Sequence, residues 1–152
     1  MTQPRTMTQR RVDAARAKRN PAVVFQVPSG WVVMADEQYT SGCCLLLPDP
    51  VLSDINSMDE NSRLQFLADM VIVGDALMEV TGAYCINYEI RAELEPALYA
   101  RIIPRYKEEP EQYRKTSAWF QYEAEKRLPP SFNLERDKDL MRKLANSLEG
   151  KY

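Results

Sequence analysis

Two short segments carry the residues best suited to chemistry. In AYCINYEIR, residues 83–91, Cys85, Asn87, Glu89 and Arg91 recur at every second position, so an extended chain presents all four on one face. In ALYARIIPRY, residues 97–106, Tyr99 and Arg101 alternate with Leu98, Ala100 and Ile102, which keep a core-facing pattern. Arginine is a fixed cation that grips phosphate or carboxylate through two parallel hydrogen bonds. A tyrosine beside it could serve as acid, base or nucleophile if the cation lowers its pKa. Each also has a structural reading: Glu89 could close an ion pair with Arg101 or Arg91, and Tyr99 could be a packed aromatic with a hydrogen-bonded hydroxyl. The chain contains no histidine. That excludes histidine zinc sites, Ser-His-Asp and Cys-His catalysis, and imidazole acid–base steps.

The elements that must position these residues follow from periodicity and punctuation. Asp13 to Lys18 can be helical and stops at Asn20-Pro21, because a residue before proline avoids the α region. AVVFQV and WVVMAD, joined by Pro28-Ser29-Gly30, read as a hairpin. GCCLLLP, residues 42–48, is a continuous apolar run that suits a central strand buried on both faces, with Cys43 and Cys44 turned opposite ways. Asp59 or Ser57 can cap a long helix in which Leu64, Leu67, Val71, Leu77 and Val80 keep helical spacing, and Gly82 supplies a left-handed end. Residues 83–91 and 97–106 alternate as two further strands. AWFQY, residues 118–122, is either a partner-facing aromatic patch or packs over the sheet, and a final helix follows Pro129-Pro130.

Composition sets outer bounds. The 152 residues are 45% hydrophobic and 28% charged, as expected of a globular domain with a sizeable core. A net charge of −2 argues against bulk attraction to nucleic acid or an anionic membrane. Residues 1–20 hold six Arg or Lys against the single acid Asp13, which fits a solvated tail or an amphipathic first helix better than a nucleic-acid arm. No run approaches the ~18 apolar residues of a membrane span. Three cysteines without metal-type spacing indicate a reducing, cytoplasmic setting. Asp36-Glu37 and Asp59-Glu60 suit a turn and a helix start rather than a metal site, and no cofactor is expected.

From residue 21 to residue 106 the chain resembles the histidine triad superfamily of nucleotide hydrolases and transferases. The resemblance rests on LLLPDPV, the long helix, NYEI, and a last strand closing as PALYARIIPRY. It implies an α+β fold: an antiparallel sheet of about five strands, one long helix packed on it, a C-terminal helix, and a homodimer. It divides the chain into a basic tail or helix (1–20), the histidine-triad-like domain (21–110) and a C-terminal extension (111–152) belonging to the same unit. Ala97, Tyr99 and Arg101 occupy the positions the family gives to its three histidines, so ordinary nucleotidyl hydrolysis is not expected. The Gly-rich, Gln-containing stretch that precedes the family motif is replaced by RAELEP. If the two strands pair as in the family, Tyr99, Arg101 and Glu89 carry whatever chemistry there is. Asn87, Arg91, Ala97 and Arg105 would then contact ligand, with Phe25 and Trp31 walling a nucleoside base. The expected function is binding of a nucleotide or other small anion in that pocket. A repurposed enzyme using Tyr99, Glu89 and Arg101, or a dimeric interaction module, are the alternatives.

Overall fold

The computed structural model describes residues 4–152. Five antiparallel strands form one sheet: β1 (Val23–Val27), β2 (Gly30–Met34), β3 (Cys44–Pro48), β4 (Cys85–Arg91) and β5 (Tyr99–Arg105), in the order β1-β2-β3-β5-β4. β3 is central and every one of its residues is buried. The vicinal cysteines do point to opposite sides, Cys44 into the cluster beneath the long helix and Cys43 into the cluster on the other face. β4 is an edge strand.

The long helix α2 (Glu60–Thr81) lies on one face of this sheet. Asp59 caps its start by accepting from the Ser62 N–H, and Gly82 ends it at φ 73°, a left-handed conformation that glycine adopts without a Cβ clash. At Gly74 the close approach is lateral: a Cβ there would lie 1.9 Å from the Tyr88 hydroxyl of β4. The core-facing side of α2 is Phe66, Met70, Val73, Ala76 and Leu77, packed on Leu46, Leu98, Ala100 and Ile102. This differs from the sequence expectation for two residues. Leu64 and Val71 are exposed, at 58% and 46%, because α2 carries two apolar stripes and only one can face the sheet. Helix α4 (Leu134–Glu149) completes this layer against α2 and β1 through Met141, Leu144 and Leu148.

The other face, which carries Tyr99 and Arg101, is covered from two sides. Helix α1 (Met7–Arg16) begins six residues earlier than its sequence suggests, since Thr6 caps it by accepting from Gln9 N–H. The Met7 and Thr8 N–H groups meanwhile donate to the Glu95 carboxylate at 3.0 Å each. Val12 and Ala15 are buried on its inner side, with Val12 packed among Val33, Leu45 and Leu47. Two of its three basic residues pair with acids: Arg11 with Asp36, and Arg16 with Asp49. The second cover is the segment from Tyr106 to Pro129, which includes the short helix α3 (Phe120–Ala124) and buries Ala118 and Tyr122. Between β4 and the extension the surface stays open to a cleft.

Candidate ligand-binding cleft

The β4–β5 register places Glu89 opposite Arg101, Arg91 opposite Tyr99, and Asn87 opposite Ile103. Period-two alternation and this register put all six on one face of the sheet. Arg101 is 7% exposed. Its Nε and Nη1 are buried and have no hydrogen-bond partner among the described residues. The nearest carboxylate is Glu37, 3.6 Å from Nη1, close enough for charge attraction but too far for a hydrogen bond. The guanidinium instead lies against aromatic rings, 5.3 Å from the Tyr39 centroid and 6.0 Å from that of Tyr99. A buried cation with unused donors is costly, since it has surrendered hydration without regaining its hydrogen bonds.

Along β4, the strand paired with that of Arg101, opens a cleft of about 850 Å³, within the range of small-molecule sites. Arg101 does not line it, but Tyr39, whose ring the guanidinium lies against, does. Glu89 and Arg91 of β4 form one side, Tyr39 and Tyr122 another, and Trp119, Glu123 and Glu93 the rim. Tyr39 and Tyr122 are joined: their rings are 5.9 Å apart and the Tyr122 hydroxyl donates to the Tyr39 carbonyl at 2.8 Å. Burial raises both phenol pKa values, so these hydroxyls stay protonated near neutrality and are not bases. Arg91 pairs with Glu93 and lies 4.0 Å from Glu89. Burial works against the Arg91 charge, but the bond to Glu93 and the neighbouring carboxylates hold its pKa above the ordinary value. A smaller polar groove of about 420 Å³ adjoins at Glu89 and runs past Asn87 to Arg114 and Lys115. Among the described residues, no three His, Cys, Asp or Glu side chains are grouped to hold a metal ion.

Six expected site residues have positions or partners of their own. Arg105 is not a free cation: Nε donates to Glu109 Oε2 at 3.0 Å, Nη1 to Asn87 Oδ1 and the Thr116 carbonyl at 2.8 and 2.7 Å, and Nη2 to Glu109 Oε1 and the Tyr113 carbonyl at 2.9 and 3.2 Å. It clasps the C-terminal extension to the sheet, and Asn87 serves it rather than a ligand through that oxygen. Ala97 is fully buried and offers no surface. Phe25 packs on the α2–α4 side and stacks on Tyr152 at 6.3 Å, so it cannot wall this cleft. Trp31 shares the Arg101 face but lies on β2, two strands away, donating from Nε1 to Asp49 at 2.9 Å. Tyr99 is 8% exposed and packs in the cluster containing Val12 and Leu45. The residues missed from sequence are Tyr39, Glu93 and Glu123, none of which sits in a periodic pattern. Trp119 and Tyr122 were visible only as an aromatic cluster.

No protein-family model matches the chain, and neither does any curated protein sequence. Solved structures do. A histidine triad protein from Sinorhizobium meliloti 1021 superposes with a TM-score of 0.69 at 13% identity, over 88% of this chain and 93% of the other. One from Marinobacter aquaeolei VT8 gives 0.69 at 18% identity, over 84% and 88%. A hypothetical histidine triad nucleotide-binding protein from Sulfolobus tokodaii strain7 gives 0.70 at 12% identity, over 91% of each chain. This is the histidine triad fold. Here it is built without a single histidine, and β5 carries Tyr99 and Arg101.

Proposed function

We propose that this protein binds a small anionic ligand, a nucleotide or another anion, in the cleft over β4 and β5, with Arg101 as the anchoring cation. One observation supports this reading above the others: two buried guanidinium nitrogens of Arg101 lack acceptors among the described residues, and the guanidinium lies against Tyr39, which lines an open cleft. A phosphate or carboxylate docked on the guanidinium would give it acceptors, end-on across the two Nη atoms or side-on across Nε and Nη2. Glu89 and Arg91 border the same space. The packing of Tyr99 favours binding over catalysis, because a tyrosine held among apolar side chains is poorly placed to exchange protons with a ligand. Thermal shift tests the reading. Inorganic phosphate or adenosine monophosphate should raise the melting temperature of the native chain and leave an Arg101→Met variant unmoved. An equal shift in both would place the anion elsewhere.

The protein is also proposed to act as a homodimer. Leu64, Val71 and Met78 form an exposed stripe along α2, spaced seven residues apart, and Tyr88 and Ile90 are exposed on the neighbouring edge strand. An unpaired edge flanked by apolar side chains is the kind of surface a second copy covers isologously. Light scattering should return twice the mass of one chain, falling to one chain for Val71→Glu.

A further inference from the structure

The lining of the cleft has the opposite electrostatic character to the neighbouring Arg101, which touches the Tyr39 wall but is not itself part of the lining. Three glutamates, Glu89, Glu93 and Glu123, line it, against the single cation Arg91. That cation is already engaged by Glu93 and lies close to Glu89. Glu123 belongs to no ion pair among the described residues. The aromatic walls also favour positive charge, because a ring face is electron-rich. Two of them already hold guanidinium groups of this chain: Arg101 lies 5.3 Å from the Tyr39 centroid and Arg127 lies 4.4 Å from that of Tyr122. Trp119 lines the same cleft, is 39% exposed and faces no such partner among the described residues.

Resting on the proposed anion site, we infer that the ligand is a small free zwitterion: an amine or quaternary ammonium carrying one phosphate or carboxylate. The anionic group satisfies Arg101. The cationic group sits among Trp119, Glu123 and the free faces of the aromatic walls. One compact molecule thereby answers both demands, whereas either ion alone answers one. A nucleoside triphosphate fits badly, since its charges must pass three carboxylates to reach a single arginine. The acids therefore act as a selectivity filter against polyphosphates.

Calorimetry on the full chain tests this with phosphocholine, inorganic phosphate, choline and adenosine triphosphate at one ionic strength. Phosphocholine should bind at least about tenfold more tightly than phosphate or choline, the factor a cation–π contact with a nearby carboxylate supplies. It should also bind more tightly than the triphosphate. Glu123→Gln should weaken phosphocholine and slightly strengthen phosphate, a change of opposite sign that general damage to the fold would not produce. Trp119→Leu should weaken phosphocholine and leave phosphate unchanged, while Arg101→Met abolishes both. Equal affinities for phosphocholine and phosphate, both lost in Arg101→Met, would overturn the zwitterion while the anion site stands. Tighter binding of the triphosphate would overturn it in favour of a nucleotide. Binding of phosphatidylcholine vesicles without free phosphocholine would assign the headgroup to a membrane and overturn the free ligand. No binding of any probe would sink the anion site together with the zwitterion.

Discussion

Arg101 and Arg105 sit four residues apart on the same strand and the same face, 7% and 3% exposed. One is saturated and the other is not. Arg105 spends its donors on Glu109, Asn87 and two carbonyls of the extension, and Glu109 in turn accepts from the Tyr106 N–H at 2.8 Å. Arg101 has two rings, one carboxylate 3.6 Å away and two bare nitrogens. The first arrangement is what a buried cation needs to hold a fold together. The second leaves the fold with a desolvation cost that acceptors among the described residues do not repay. A buried charge is thus a structural tie where its hydrogen bonds close within the chain, and a candidate binding group where they do not.

The sharpest way to break this comparison is to replace each arginine in turn. Arg105→Met should cost about 3–5 kcal/mol in urea unfolding, because it strands the Glu109 carboxylate and frees the extension. Arg101→Met should do the reverse without ligand. Removing a desolvated charge with no hydrogen bonds should leave stability unchanged or raise it by about 1–2 kcal/mol, and phosphate should no longer stabilise the variant. Equal losses in the two variants would mean that Arg101 is as structural as Arg105.

A smaller effect comes from acid, at the helix that closes the other side of this face. The Arg16 guanidinium, bonded to Asp49 together with the Trp31 N–H, holds the Asp49 carboxyl below its usual range. Burial opposes ionisation of Glu95, but the Met7 and Thr8 N–H groups still bring its pKa below the ordinary value. A carboxylate depressed in the folded state stabilises it above the unfolded pKa, and that contribution fades as pH falls through the folded value. Stability should therefore be level near neutrality and decline below pH ~4. Trp31 fluorescence should report the undocking of α1. Asp49→Asn should blunt the acid-dependent part and cost about 1 kcal/mol at pH 7, discounted because Arg16 is half exposed. The smallest effect marks the floor of the comparison. Glu135→Ala, which breaks an exposed pair with Lys138, should change stability by less than about 0.5 kcal/mol in the same urea titration.

Much of this molecule was legible from local pattern. Alternation and helical spacing depend on residues two to four apart, so the five strands, the long helix, its Gly82 terminus and the shared face of Asn87, Glu89 and Arg91 could be read without coordinates. Where pattern allowed two answers, it could not choose. Both stripes of α2 are apolar, and only the position of the sheet sends Phe66 and Val73 inward and leaves Leu64 and Val71 outside. Phe25 and Trp31 lie on one hairpin, yet a bulge between Val23 and Phe25 and the docking of α1 separate them from the cleft and from each other.

The sequence by itself determined which residues share a strand face, that imidazole chemistry is impossible, and that arginine and tyrosine stand on the last strand. Only the tertiary structure decided what those residues meet. Tyr39, Arg101 and Tyr122 are distant in the chain and become neighbours through the β3–β5 crossover and the return of the extension over the sheet. Arg101 and Arg105 are equivalent positions in any period-two reading. Hydrogen bonding separates them, because a donor is satisfied only by an acceptor placed within about 3 Å, and such placement is a property of three-dimensional packing.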